Sequence, residues 1–495
     1  MEARAGYNKV FADKHDLNVL LVGSMRTETN TEVTTIQQSL PKRNISTAGR
    51  LAYGYDSRYF IEGNFGYNGS ERFAQKYRYG FFPSIGGGWM VSNEAFMESV
   101  QSVMQKLKLK ITYGLVGQDE IGYPEDRFFY LSQVNMNAGG YTFGTDRGYA
   151  RGGISINRYA NDLITWEVAK KFNVGIETTL FKDVEILADY FTERREKILQ
   201  TRTDIPATMG LVTIPQANVG IAEGNGFELE IKYQKNFTRD IWLVYNGNFT
   251  YATAKYVRYE EPDYYDAPWR SVIGKKLSQP YGYIAERLFI DDEEVSHSPD
   301  QSFGEFKAGD IKYRDINNDG KIDDTDRVPI GYPITPEIIY GTGFSLGVHG
   351  FDLSCFFQGS ARSSFFIDPG AITPFVNQGQ RGLMKYIADD HWSENDRNLH
   401  AFWPRLSEYP ILNNNQQSTW WLQNGAFLRL KTAEFGYTIP DRTTKKIGMS
   451  MLRVYVSGVN LAVWSKFNMW DPEMAGNGLG YPVQRVYNIG LNINF

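Results

Sequence analysis

The stretch Val486-Tyr487-Asn488-Ile489-Gly490-Leu491-Asn492-Ile493-Asn494-Phe495 decides the fold. Tyr487, Ile489, Leu491, Ile493 and Phe495 fall on one side, and Val486, Asn488, Gly490, Asn492 and Asn494 on the other. Successive side chains of a β-strand point to opposite faces, so this segment is a strand with one greasy and one nearly polar face. Its aromatic end, together with many similar strands upstream, suggests an all-β chain forming a transmembrane antiparallel β-barrel. Such a wall turns apolar residues to lipid and polar residues to an aqueous interior.

Composition fits that expectation. Aromatics make up 15% of the 495 residues and Gly reaches 48, yet hydrophobics total only 42% and the mean hydropathy is −0.41. No run approaches the ~18–20 apolar residues of a membrane helix, which excludes a helical membrane protein. A barrel remains compatible because its inner face lowers the apparent hydropathy. A net charge of −5 gives no basic footprint for nucleic acid. Single Cys355 forbids an internal disulfide. The opening Met1-Glu2-Ala3-Arg4-Ala5 lacks an apolar signal-peptide core, so the expectation is a C-terminal piece of a longer protein.

Working outward, the pattern of strand, tight turn and strand recurs, followed by a long polar loop. Tyr340, Thr342, Phe344, Leu346 and Val348 alternate with small or polar residues, His349-Gly350 makes a turn, and Phe351, Leu353, Cys355 and Phe357 follow. Two apolar stripes around a Gly-containing turn predict a hairpin. Further hairpins are expected around Lys235 to Asp240, at Lys182-Asp183 and at Tyr55-Asp56-Ser57-Arg58. Charges such as Glu228, Glu230 and Lys232 on the second stripe are intolerable in a dry core and ordinary in a wet lumen. Stretches near 121–160, 255–335, 360–425 and 465–483 read as long irregular loops, which barrels carry on their outer side. At ~35 residues per strand and connection, about 14 strands are expected.

Several segments carry a resemblance. Asn68-Gly69-Ser70-Glu71-Arg72-Phe73, Phe82-Pro83-Ser84 to Trp89, and Asn93-Glu94-Ala95-Phe96 come first. Tyr113-Gly114 with Gly117-Gln118-Asp119 and Gly309-Asp310-Ile311-Lys312-Tyr313 follow. Phe351-Asp352-Leu353 with Phe357-Gln358-Gly359, Trp421-Leu422 with Phe427-Leu428-Arg429-Leu430, Tyr437-Thr438-Ile439-Pro440, Val456-Ser457-Gly458-Val459-Asn460-Leu461 and Asp471-Pro472-Glu473 complete the series. In order and kind this series resembles the SusC/RagA family of TonB-dependent outer-membrane receptors. The resemblance implies that residues 1–495 form the C-terminal portion of a barrel of about 22 strands, without the N-terminal plug. It also implies a SusD-like surface lipoprotein partner, energy supplied through TonB, and import of oligosaccharides or peptides. The expected location is the outer membrane, in contact with its lipid.

One local constellation carries chemistry. Asp315-Ile316-Asn317-Asn318-Asp319-Gly320-Lys321-Ile322-Asp323-Asp324-Thr325-Asp326 fits the EF-hand loop template with Asp in place of the final Glu. Oxygens of Asp315, Asn317, Asp319, the Lys321 carbonyl, Asp323 and Asp326 fall at the ligand positions, and Gly320 permits the sharp turn. Hard oxygen ligands favour Ca²⁺, and 309–328 is read as a calcium loop within an inter-strand connection. The competing account is an Asx-rich loop closed by its own hydrogen bonds.

Other signals are weaker. His391 and His400 match no zinc spacing, Cys355 reads as a small lipid-facing hydrophobe, and Gly86-Gly87-Gly88 lacks the context of a phosphate loop. Tyr264, Tyr265 and Trp269 could stack on sugar or sit at the membrane interface, whereas Trp420-Trp421 reads as an interface girdle or partner contact. No catalytic order stands out, so no enzyme is expected. The alternatives to an energised importer are a passive porin-like pore or adhesin, and an outer-membrane hydrolase.

Overall fold

The computed structural model describes residues 1–32, 39–122, 127–376 and 379–495. Fifteen long strands join one sheet in chain order. They are β1 (Glu2–Phe11), β2 (His15–Glu28), β3 (Lys42–Tyr55), β4 (Tyr59–Ser70), β5 (Tyr79–Met90), β6 (Met104–Gln118), β7 (Glu167–Leu180) and β8 (Val184–Thr201). The sheet continues through β9 (Gln216–Asn236), β10 (Ile241–Arg258), β11 (Ile338–Val348), β12 (Phe351–Ala361), β13 (Phe427–Thr438), β14 (Met451–Ser465) and β15 (Val486–Asn494). Fifteen replaces the expected 14 or so. The turn chemistry is where the sequence placed it. Val348 pairs with Phe351, and His349 (φ 49°) and Gly350 (φ 87°) are both left-handed. A two-residue hairpin needs this because only such a turn matches the right-handed strand twist. Asp56 and Ser57 are also left-handed, in the three-residue loop between Tyr55 and Tyr59.

The chain divides into two compact units. The first comprises Met1–Glu228, Thr253–Pro262 and Val272–Gly274. Its faces differ row by row. Leu109, Ile176 and Ala188 lie abreast, as do Ile111, Val174 and Tyr190. One residue along, Lys110, Gly175 and Asp189 form a row on the opposite face. Ile111, Val174, Ile176 and Tyr190 remain exposed, as a lipid-facing stripe requires. At one end of the strands Phe73, Ile121, Phe129, Ile164 and Trp166 bury one another, with Phe82 against them.

The second unit comprises Leu229–Ala252, Asp263–Ser271 and Lys275–Phe495. Two of its long connections are not irregular, contrary to the expectation for 255–335 and 360–425, whereas the connection after β14 holds no strand among the described residues, as expected for 465–483. The first two carry short strand pairs, Ala285–Leu288 with Ile311–Tyr313 and Ser364–Phe366 with Leu422–Asn424. Together the connections enclose a core of Leu288, Ile311, Ile322, Ile367, Ile372, Ile387, Trp403, Trp421 and Phe467. These apolar residues are spaced at no fixed period, so the strand pattern could not announce them. In the first unit, 121–160 likewise holds a hairpin, Gln133–Phe143 with Tyr149–Arg158.

Candidate functional site

The polar face of the first unit is a charged lattice. Lys110 Nζ lies 3.1 Å from Asp189 Oδ2, and Glu177 accepts from Lys106 at 2.9 Å with Lys110 3.7 Å away. The Lys110–Asp189 pair crosses Gly175, where an added Cβ would come within 2.2 Å of Asp189 Oδ1 and 2.3 Å of Lys110 Cε. A side chain there would push this ion pair aside. In the second unit Arg453 bonds Asp352 at 3.0 Å and Glu434 at 2.6 Å. Paired charges lining a wet wall can hold hydrated polar cargo without binding it tightly, because water screens each of them.

The motif residues prove to be contacts between segments. Trp89 Nε1 donates to Glu94 at 2.9 Å, and Arg58 reaches the same carboxylate at 3.1 Å. Phe73 and Phe82 both pack on Trp166, with ring centroids 5.4 and 5.3 Å away. Gly117 leaves room for Phe82, whose ring would meet a Cβ at 1.9 Å. Arg429, 3% exposed, bonds both Asp471 oxygens at 2.6 and 2.7 Å and Glu473 at 2.7 Å. This clamps the connection before β15 to the start of β13.

Gly309, at φ +80°, lies against Trp392 and hands on to Asp310, which is fully buried. Asp310 Oδ1 meets Arg405 Nε at 2.9 Å and Asn414 Nδ2 at 2.8 Å, while Oδ2 accepts from the Lys307 amide. Burial pushes this carboxyl above its ordinary range, against the pull of Arg405. Burial also raises the Tyr283 phenol to about 12. Glu294 goes the other way. Arg287 at 2.5 Å, the Ile290 amide and Lys312 at 2.8 Å overcome its desolvation and hold it at about 2. Sequence reading missed Arg405, Asn414 and Glu294, whose partners carry no local spacing signal.

The Asp-rich loop is closed by turns of its own. Asp315 Oδ1 accepts from the Asn318 amide at 2.6 Å, and its Oδ2 from the Gly320 amide at 2.8 Å. Asn317 and Asp319 accept from the Asp319 and Lys321 amides. Asp323 accepts from the amide and hydroxyl of Thr325, which hold it below its ordinary value. Asp326, fully buried, accepts from Ile316 and Asp323 amides in a capping box. Asp315, Asn317, Asp319, Lys321 and Asp323 thus flank one turn, while both Asp326 oxygens are engaged by amides. Among the described residues no three His, Cys, Asp or Glu side chains gather as a metal-holding group. Carboxylates have lone pairs beyond those used by an amide, so the donor chemistry still suits a hard cation.

The aromatic expectations divide. Trp269 donates to the Thr325 carbonyl at 2.9 Å, and Arg270 pairs with Asp324 while lying 4.9 Å from the Tyr264 ring centroid. They buttress the Asp-rich loop, and only Tyr265 stands fully exposed. The interface reading of Trp421 is corrected. It is 1% exposed, packs on Trp403 and Phe402, and donates to the Asn414 carbonyl at 2.7 Å. Trp420 donates to the Phe402 carbonyl.

A two-faced sheet with short turns at one end and folded connections at the other is the build of an outer-membrane β-barrel. No protein-family model matches the sequence. Relatives bear out that class. TonB-dependent receptor P26 of Formosa agariphila is 26% identical over 500 residues, 93% of this chain and 48% of the relative. TonB-dependent receptor SusC of Bacteroides thetaiotaomicron is 26% identical over 469 residues, 91% of this chain and 44% of SusC. The RagAB peptide importer in its open-open state superposes with a TM-score of 0.74 at 22% identity, over 100% of this chain and 54% of that one. The chain spans about half the length of the curated relatives it matches.

Proposed function

We propose that this chain is the C-terminal wall of an active outer-membrane importer of oligosaccharides or peptides. It works with a SusD-like surface lipoprotein and draws energy through TonB. A plug from elsewhere in the full receptor gates the pore. The observation that carries this reading is the contrast between an apolar outer face and a lattice of paired charges within. The likeness to SusC and to a peptide importer adds to it. No catalytic step belongs to this reading. Uptake of labelled oligopeptides and oligosaccharides by cells carrying the full receptor tests it. Uptake is expected to stop when either TonB or the lipoprotein is deleted. Undiminished uptake without TonB means a passive pore, and cargo cleavage by purified receptor means a hydrolase.

We propose further that Asp315, Asn317, Asp319, the Lys321 carbonyl, Asp323 and Asp326 hold Ca²⁺, which stiffens the 309–328 connection by neutralising its carboxylates. Added Ca²⁺ is expected to protect 310–330 from protease in the native chain, but not in Asp315→Ala/Asp319→Ala. Equal cleavage with and without Ca²⁺ removes the metal.

A further inference from the structure

A row of charges interrupts the lipid-facing surface from β7 to β10. Lys170 lies on the same face as Phe172, Val174 and Ile176, because side chains alternate along β7 without a register shift. Arg194, opposite Lys170, shares that face with Thr192 and Tyr190. Glu196 bridges the two, 2.7 Å from Lys170 Nζ and 2.8 Å from Arg194 Nε. Arg194 also pairs with Glu223, and Lys255 Nζ lies 3.9 Å from the same carboxylate. Glu223 and Lys255 therefore face outward as well.

Depth and charge both say what covers this row. Lys170 stands about ten residues from the short turn after Leu180. At ~3.3 Å per residue and a tilt of 35–45°, that is about 25 Å, the height of a barrel's apolar band. Charges are costly at mid-bilayer and nearly neutral at its edge, so Lys170 and Arg194 sit among headgroups on the long-loop side. Three cations face two carboxylates, a surplus of one positive charge. All three cations are reachable, with side-chain exposures of 39% for Lys170 and for Arg194 and 56% for Lys255. Guanidinium and ammonium groups suit phosphate oxygens.

We propose that Lys170, Arg194 and Lys255 form a binding site for the phosphorylated headgroup of an outer-leaflet glycolipid. The row lies on the outward face of the wall, with Lys170 and Arg194 at headgroup height, so a membrane-anchored phosphate reaches it in two dimensions. This rests on the membrane-spanning fold and is independent of whether the chain serves an importer.

The test uses the full receptor in phosphatidylcholine nanodiscs doped with diphosphoryl or dephosphorylated lipid A, with retained lipid counted by native mass spectrometry. Native receptor is expected to retain the diphosphoryl form and lose the other. K170Q/R194Q/K255Q is expected to retain about tenfold less, and Lys255→Gln alone about threefold less. Unchanged heat-modifiable migration establishes that the variants fold. If the triple variant fails to fold, the single one decides, since its 3.9 Å contact is the loosest of the row. Equal retention by native and variant receptor, or retention independent of the phosphates, overturns the proposal. Thermal stabilisation by inorganic phosphate alone, equal to that by lipid A, overturns the lipid assignment.

Discussion

The wall and the loop assembly of the second unit are held together by different forces. β11 and β12 pair residue by residue from Ile338↔Ala361 to Val348↔Phe351, and their side chains serve two solvents. The loop assembly has little sheet. Its order comes from Trp421 against Trp403, from the buried Asp310–Arg405 pair, and from Glu294 held by Arg287 and Lys312. Backbone pairing leaves a wall's inner side chains free to vary, whereas a packed core fixes every member by shape.

The sharpest way to break that contrast is Trp421→Ala. Removing a fully buried indole costs about 3–5 kcal/mol, expected as new protease cleavage between 362 and 426 while heat-modifiable barrel migration is unchanged. Unaltered cleavage means the loops share no core. Next comes a matched pair on β7. Val174→Lys, on the lipid face near mid-bilayer, is expected to destabilise vesicle-refolded receptor by about 2–4 kcal/mol. Asn173→Lys, facing water, stays within about 0.5 kcal/mol. Similar losses at both positions deny the wall its two solvents.

Acid gives the smallest expected effect. Glu294 sits at about 2 in the folded loops, below its ordinary 4.5. Its contribution, on the order of 2 kcal/mol, is complete above 4.5 and is lost as pH falls from there toward 2. Hydrogen exchange in 285–313 is expected to quicken across that window in native receptor, but not in Glu294→Gln. A flat response in both removes the carboxylate from the account.

The contrast also explains what could be read early. Strands β7, β8, β11 and β12 were legible because lipid on one side and water on the other impose a period of two, and His349-Gly350 marked its own turn. The SusC-like motifs were legible as spelling, but not as contacts. Arg429 meets Asp471 across 42 residues, and Asp310 meets Asn414 across 104. Trp421 misled because an aromatic pair in a polar loop looks the same whether it faces a membrane or a core. The Asp-rich loop was legible as a turn, since its hydrogen bonds are local.

Water access to the two faces tests the central claim most directly. In a Cys355→Ser background, single cysteines replace Asn173 and Ser345 on the inner face, and Val174 and Phe344 on the outer, in full receptor within outer membranes. A charged maleimide is expected to label the first pair rapidly and leave the second protected by lipid. Rapid labelling at 174 and 344 with protection at 173 and 345 would contradict the account.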